Sequence, residues 1–170
     1  MDDAIGSGPA LARWLASVGH PIGDGVVSDQ VVEQFRATRD ALRRLAWEAT
    51  GDDRPAATPS VTDVDSAIGV LNAACALAPS WSQLEQVGQW PPQRALYSHH
   101  KAEEVRLSLI AEEGVRLFSG EGLAELMACR APGCVQYYLR QHPRQAWCSS
   151  GCGNRARVAR HYERHHRQAG

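Results

Sequence analysis

The chain lacks a hydrophobic run long enough to cross a membrane. No stretch of its 170 residues approaches the roughly 20 consecutive apolar residues that a transmembrane helix needs. The N-terminus begins Met1-Asp2-Asp3, which is acidic and has no apolar segment of the signal-peptide kind. With 44% hydrophobic and 22% charged residues, the composition is that of an ordinary globular protein. We therefore expect a cytoplasmic protein that does not contact a membrane and whose cysteine thiols stay reduced.

Common catalytic motifs are missing as well. The sequence has no phosphate-binding loop, no G-x-S-x-G nucleophile elbow, no H-E-x-x-H zinc-protease motif and no credible dinucleotide fingerprint. It also has no internal repeat, heptad run or low-complexity tract. An enzyme remains an open alternative, but these absences favour a protein without catalytic activity.

Acidic residues are almost absent from the last part of the chain. Residues 129–170 contain eight arginines and one acid, Glu163, for a net charge of +7. The rest of the chain has ten basic and eighteen acidic residues, for a net charge of −8. This split indicates a basic end that contacts a polyanion and an acidic body that does not. A module that uses arginine only for its own solubility is the alternative.

Four stretches carry the hydrophobic period of helices. They are residues 9–18, a longer segment after Ser28, a segment that opens at Thr62-Asp63, and a segment that opens at Ser98 and stops at Gly120. Residues 79–92 lack that period and favour a short hairpin or an extended segment on the helical part. The run Gly51-Asp52-Asp53-Arg54-Pro55 predicts a surface loop.

Four of the five cysteines lie close together in the basic part. They form two pairs, Cys129-x4-Cys134 and Cys148-x3-Cys152, separated by thirteen residues. Zinc favours four tetrahedral ligands, and two closely spaced thiolate pairs are what a structural site requires. Glycine and proline beside the cysteines allow tight turns. We predict a structural Zn²⁺ ion bound by all four thiols, with no open position for catalysis.

The sequence around the cysteines predicts a hairpin and a helix. The thirteen intervening residues favour a hairpin with its turn near Pro143, and the chain after Cys152 favours a helix to about His166. Cys75 lies on the apolar side of the third helical stretch, where we expect a buried, unreactive thiol. The alternatives for the site are two disulfides, or a histidine ligand in place of one cysteine, from among His142, His161, His165 and His166.

The C-terminal helix is predicted to carry one continuous basic face. Arginines recur there at intervals of three and four residues, at Arg157, Arg160, Arg164 and Arg167. Arginine binds phosphate and reads guanine through its planar fork, so we predict nucleic-acid contacts by these four residues together with Arg144 and Arg155. A solvated helix face is the alternative. The other side of the helix is expected to pack on the hairpin through Val158, Ala159 and Tyr162.

The run WCSSGCGNRARVARHYER, residues 147–164, resembles the motif of the CGNR zinc-finger family. In that family the finger follows a mostly helical ABATE domain, and the residues GLAELMAC at 122–129 are similar to the end of that domain. The resemblance implies a bacterial transcription regulator whose four cysteines bind zinc and whose finger binds DNA. It also implies that the ABATE domain senses a ligand or stress, and that Asn154 and Arg155 brace the finger or touch nucleic acid.

These observations predict a mainly α protein with a small β hairpin. Residues 1–126 are expected to form a helical, ABATE-like sensing domain, and residues 127–170 a treble-clef-like four-cysteine zinc finger with a basic C-terminal helix. The leading hypothesis is a DNA-binding transcription regulator whose N-terminal domain senses a ligand or dimerises. A homodimer would present two fingers, which a weakly binding single finger needs.

Two other functions stay open from the sequence. One is RNA binding, with Tyr137, Tyr138 and Trp147 as stacking surfaces, although core packing is the commoner role of such residues. The other is small-molecule binding or an enzyme, for instance a biosynthetic one, in the helical domain, with a purely structural finger. Its candidate pocket residues are Trp81, Trp90, His99, His100 and Glu104.

Overall fold

The computed structural model describes residues 3–23 and 26–168, except for the side chains of residues 163 and 165–168. Its helices are α1 (Gly8–Ser17), α2 (Asp29–Thr50), α3 (Val64–Ala76), α4 (Ala102–Phe118) and α5 (Ser150–Gln168). Its strands are β1 (Trp81–Glu85), β2 (Gln93–Tyr97), β3 (Leu126–Ala128) and β4 (Tyr137–Leu139). Short 3-10 turns cover Pro55–Ala57 and Leu123–Glu125. The predicted mainly α fold with little β structure is confirmed.

Helices α1 to α4 and the hairpin β1–β2 form the helical body. Helix α2 packs against α1, α3 and α4, and α3 packs against α4. The core between them is built from the apolar faces that the sequence predicts, because side chains three and four residues apart share one side of a helix. Its buried members include Leu11, Leu15, Val31, Phe35, Leu45, Leu71 and Leu107.

Polar side chains start the first three helices, as the sequence predicts for Ser28 and Asp63 but not for Ser7. The side chains of Ser7, Ser28 and Asp63 accept backbone hydrogen bonds at the N-termini of α1, α2 and α3. The prediction that α4 opens at Ser98 is wrong, because the helix begins only at Ala102. The Ser98 hydroxyl instead donates to the carbonyl of Pro79 at 2.8 Å, which ties the end of β2 back to the body.

The predicted hairpin of residues 79–92 is present but reaches further along the chain. Strand β1 pairs with β2 in an antiparallel register that sets Trp81 opposite Tyr97 and Glu85 opposite Gln93. Residues near its tip are apolar and exposed, with Leu84 75% and Trp90 82% exposed. No helix in the described ranges, 3–23 and 26–168, is long and apolar enough to span a membrane.

Residues 126–168 form the C-terminal module. Strands β3 and β4 pair antiparallel, with Met127 opposite Tyr138, and α5 follows. The predicted hairpin between the two cysteine pairs, with a turn near Pro143, is therefore wrong. Its first strand comes before Cys129, so the segment between Cys129 and Cys134 forms the connection of the hairpin.

The loop predicted at residues 51–55 is present, and Gly51, Asp53 and Pro55 are exposed, but Asp52 is not. Gly51 ends α2 in the left-handed conformation, at φ 54°, which suits a residue without a side chain. The next residue, Asp52, is only 5% exposed. It is buried because the C-terminal module packs over this turn.

Candidate functional site

The four cysteines of the C-terminal module form one compact cluster. Their Sγ atoms all lie within 4.8 Å of one another. Cys134 Sγ lies 3.8 Å from Cys148 Sγ and 3.7 Å from Cys152 Sγ, and the Cys148 and Cys152 sulfurs lie 3.4 Å apart. A tetrahedral ion with Zn–S bonds of about 2.3 Å needs sulfurs about 3.8 Å apart. The four thiol groups and the distances between their sulfur atoms therefore fit a structural zinc ion. Four thiolates complete the coordination of such an ion and leave no position for a substrate.

Two local structures bring the cysteines together. Cys129 and Cys134 flank the connection between β3 and β4, which we call the knuckle (residues 129–134). Gly133 has φ 68° in it, a conformation that favours glycine, and the N–H of Cys134 donates to the carbonyl of Ala131 at 3.0 Å. Cys148 precedes α5, and Cys152 lies in its first turn because the helix begins at Ser150. The thiolates therefore sit at the positive end of a helix dipole.

Hydrogen bonds to sulfur strengthen the site. The N–H of Cys148 donates to Cys129 Sγ at 3.5 Å, and the guanidinium of Arg155 donates to Cys152 Sγ at 3.1 Å. A hydrogen bond from Ser149, together with contacts from the other thiols, lowers the pKa of Cys152 to about 7, whereas burial raises the pKa of Cys148 to about 12. Of the two roles that the resemblance gives Arg155, this contact fits the bracing one.

Aromatic side chains of the module pack inward. Tyr138 and Trp147 contact the buried cluster of Cys129, Cys134 and Cys152. A side chain at residue 153 would have its Cβ 3.1 Å from Trp147, so glycine there lets the indole lie against the start of α5. Two of the three aromatic residues considered for base stacking thus form the small core of the module.

A network of charged residues attaches the module to the helical body. The guanidinium of Arg54 donates to both oxygens of Asp52, at 2.5 Å and 2.8 Å. Its Nη1 also donates to the carbonyls of Cys129 at 2.7 Å and Cys134 at 2.8 Å. One side chain of the body therefore holds the backbone of both cysteines in the knuckle.

Tyr137 of β4 completes this network. Its hydroxyl donates to Asp52 at 2.8 Å, and its ring lies beneath the guanidinium groups of Arg54 and Arg43 at 5.2 Å and 5.8 Å. Burial and the hydrogen bond to the Asp52 carboxylate raise the pKa of Tyr137 to about 12. Tyr137, the third residue considered for stacking on bases, is thus bound at the contact between the helical body and the C-terminal module, which we call the junction.

The negative charge of the Asp52 carboxylate balances the positive charge of Arg54 at the junction. Burial alone would raise the pKa of Asp52, but hydrogen bonds from Arg54 and Tyr137 outweigh burial and hold that pKa well below its usual range. The contribution of this ionised group to stability is present above the ordinary carboxyl pKa and is lost as the pH falls through the lowered one. Next to it, Asp53 pairs with Arg130 of the knuckle. The acidic loop and the basic module are therefore complementary.

Sequence reasoning missed Asp52 and Arg54. Their partners in the module lie 75 to 85 residues further along the chain, so no local pattern marks the contact. The available signal was the run of two acids and an arginine directly after a long amphipathic helix. The same run is also typical of an exposed turn.

The arginines predicted to contact nucleic acid lie in two places. Arg144 and Arg157 line one polar cleft of about 410 Å³ beside the first turn of α5, together with Ser149 and Ser150. Arg160 and Arg164 follow along α5 and are exposed. The side chains of Arg167, His165 and His166 lie outside the described residues.

The outer part of α5 differs from the prediction. Val158 and Tyr162 are 46% and 62% exposed, so the expectation that they pack on the hairpin is wrong. Ala156 is the buried residue instead, at 4% exposure, because the module is too small to cover more than the first turns of the helix. Beyond Ala156 the helix carries arginines and exposed apolar side chains.

The candidate pocket residues of the helical body fall into separate groups. The rings of Trp81 and His99 lie 5.0 Å apart. His100 Nδ1 lies 3.8 Å from the Glu104 carboxylate, which accepts a hydrogen bond from the N–H of Lys101 at the start of α4. Trp90 is exposed between β1 and β2. Trp81 and His99 are thus neighbours, as are His100 and Glu104, but the contacts of the described residues do not join all five into one site.

We predict that zinc binding depends on Cys152 and not on Cys75. Cys152→Ser removes one of four thiolates, so we expect a protein that loses its zinc and the fold of the C-terminal module. Cys75→Ser, in α3, should keep one zinc per chain. Mass spectrometry of the metal content measures both variants, and full zinc in Cys152→Ser would contradict the assignment of ligands.

We also predict that Arg54→Ala destabilises the whole chain strongly. The change leaves the buried Asp52 carboxylate and two knuckle carbonyls without their donor, which should lower the free energy of unfolding by about 3–5 kcal/mol. Arg116→Ala, which breaks the exposed pair with Glu113 in α4, should cost about 0.5 kcal/mol or less. Urea titrations compare the two, and equal losses would show that the junction contributes little.

Comparisons with known proteins agree with this arrangement. Residues 2–121 match the family model ABATE, described as "putative stress-induced transcription regulator", and residues 126–165 match the CGNR zinc finger model. No curated protein sequence matches the chain significantly. The first match covers most of the helical body, and the second contains all four cysteines of the metal cluster. The chain belongs to the ABATE family and carries a CGNR zinc finger at its C-terminal end.

Proposed function

We propose that this protein is a cytoplasmic, DNA-binding transcription regulator. In this proposal residues 1–126 form the sensing domain and residues 127–170 form the DNA-binding zinc finger. The family description supports the regulatory role. The observation that carries DNA binding is the cleft in which Arg144 and Arg157 lie together beside the N-terminal turn of α5. Two guanidinium groups beside the positive end of a helix favour a phosphate of the DNA backbone.

Helix α5 supplies the second part of the interface. Arg157, Arg160 and Arg164 are exposed along it, and beyond Ala156 the described side chains of the helix are largely exposed to solvent. An uncovered helix of this kind fits the width of the DNA major groove. In our proposal the arginines contact phosphates and guanine edges.

RNA is a weaker candidate for the same surface. Recognition of single-stranded RNA relies on aromatic side chains that stack on bases. Tyr138 packs on the cysteine cluster and Tyr137 is bound to Asp52, so these two residues are engaged within the protein. Trp147 also packs on the cluster, and part of it lines the cleft of Arg144 and Arg157. Duplex DNA is therefore the ligand that we propose.

We expect salt-dependent DNA binding that the variant Arg157→Ala/Arg160→Ala/Arg164→Ala largely loses. Each lost phosphate contact should reduce the slope of log affinity against log salt concentration by about 0.9, so the triple variant should lose about 2 to 3 units of slope. Fluorescence anisotropy with random-sequence duplex DNA and a pool of genomic fragments measures this slope.

The matched control is Arg13→Ala/Arg94→Ala/Lys101→Ala, which removes three exposed positive charges from the helical body. It should bind DNA with the slope of the unchanged protein. If both triple variants lost DNA affinity equally, the net charge of the protein would explain the effect. Absence of binding by zinc-loaded protein at low salt, or a clear preference for RNA, would refute the proposal.

A single module offers little surface for DNA recognition, so we propose that two copies bind together. One small module buries about 600–1,000 Å² of protein surface, which supports only modest affinity, and joining two modules raises the effective concentration of the second. Sedimentation of the same preparations tests this. A protein that stays monomeric in sedimentation and still binds DNA with the affinity measured by anisotropy would contradict the homodimer.

A further inference from the structure

A cavity of about 650 Å³ lies between the helical body and the C-terminal module. Helices α2 and α4 form two of its walls, and strands β3 and β4 form a third. Most of its lining is apolar and includes Phe35, Leu42, Ile110, Leu117, Leu126 and Leu139. Both its volume and this lining are typical of sites for small organic molecules, which measure about 300–1,000 Å³.

Three arginines line the cavity, and one of them has an unbalanced charge. Arg39 binds the carboxylates of Asp3 and Asp40, each at 2.8 Å. Arg116 pairs with Glu113, whose side chain is 71% exposed. Within residues 3–23 and 26–168, Arg43 forms no ion pair with a carboxylate.

In the described part of the chain, the neighbours of Arg43 are a carbonyl and an aromatic ring, not a carboxylate. Its Nη1 donates to the carbonyl of Val135 at a long 3.4 Å, and its guanidinium lies 5.8 Å from the centre of the Tyr137 ring. A guanidinium beside apolar walls is stabilised most by a charge-assisted, bidentate bond to a carboxylate. The other acid of the lining, Glu121, is exposed at the rim. A ligand can supply the missing carboxylate.

We propose that this cavity binds an apolar carboxylic acid. Its carboxylate pairs with Arg43, and its hydrocarbon part, aliphatic or aromatic, lies among the apolar side chains of α2, α4 and β3. The cavity has one charged group beside apolar walls, and the ligand has one charged group beside a hydrocarbon part. Burial of the hydrocarbon part provides affinity, and the guanidinium of Arg43 selects the acid over neutral molecules of the same shape.

The position of the cavity connects its occupant to the zinc site. Leu126, Tyr137 and Leu139 belong to the strands whose connection carries Cys129 and Cys134, and Arg43 contacts both Val135 and Tyr137. A carboxylate that draws Arg43 toward the cavity alters its contacts with this hairpin. The acid therefore changes DNA affinity, a consequence that rests on the proposed function, and DNA changes the affinity for the acid by the same factor.

Isothermal titration calorimetry with two matched pairs of probes tests the binding site. The pairs are decanoate with decanamide and 2-naphthoate with 2-naphthamide, which differ in charge but hardly in shape. We expect at least one acid to bind at a single saturable site about tenfold or more tightly than its amide, because charge-assisted hydrogen bonds contribute that much. Arg43→Gln should remove this difference and leave amide binding unchanged.

Arg44→Gln is the control for the variant. Arg44 is the next residue of α2, pairs with Glu48 at 2.9 Å, and does not line the cavity, so its loss should leave acid binding unchanged. The proposal is overturned if neither acid saturates a single site, if acid and amide bind equally, or if Arg43→Gln binds the acid as the unchanged protein does.

Repeating the DNA titrations with the acid present tests the consequence separately. We expect the DNA affinity to shift in the unchanged protein and in Arg44→Gln but not in Arg43→Gln. Binding of the acid without any DNA binding refutes the proposed function and leaves the site intact. DNA binding without acid binding refutes the site and leaves the proposed function intact.

Discussion

The hydrogen bonds of Arg54 are the contact on which the arrangement of this protein depends. Two donors of its guanidinium are fixed by the buried Asp52, and the remaining nitrogen donates to the carbonyls of two cysteines in the metal cluster. A buried carboxylate is costly unless it is paired, and a buried arginine is costly unless its donors are used. Both unfavourable terms are offset only when the knuckle is folded and packed against the helical body. The metal site, the turn after α2 and the strand β4 therefore stabilise one another.

This dependence gives a physical basis for communication between the two parts of the chain. The junction contains Arg54 at the knuckle, Tyr137 in the middle, and Arg43 at the edge of the cavity, and the aromatic ring lies beneath both guanidinium groups. An effector at Arg43 and DNA at α5 would both act on the C-terminal module. Regulation needs only that the effector bind the two states of this junction with different affinity.

The sequence predicts the features that depend on neighbouring residues. The four cysteines, the helix after Cys152 and the caps at Ser28 and Asp63 follow from spacing and local hydrogen bonding, and all are present. The features it does not predict depend on distant partners. Asp52 is buried only because residues of the C-terminal module cover it, and β4 pairs with a strand that precedes the first cysteine. Val158 and Tyr162 follow a helical pattern that suggests packing, but no element of the described chain covers them.

Hydrogen exchange with and without zinc tests the coupling of the two parts most directly. Peptides that cover residues 51–54 should exchange faster after zinc is removed by a chelator, although these residues bind no metal, because Arg54 loses its acceptors on the knuckle. Peptides from α1, which packs on α2 away from the junction, should exchange at an unchanged rate. Faster exchange confined to residues 126–168 would contradict the account, since the C-terminal module would then fold and unfold independently of the helical body.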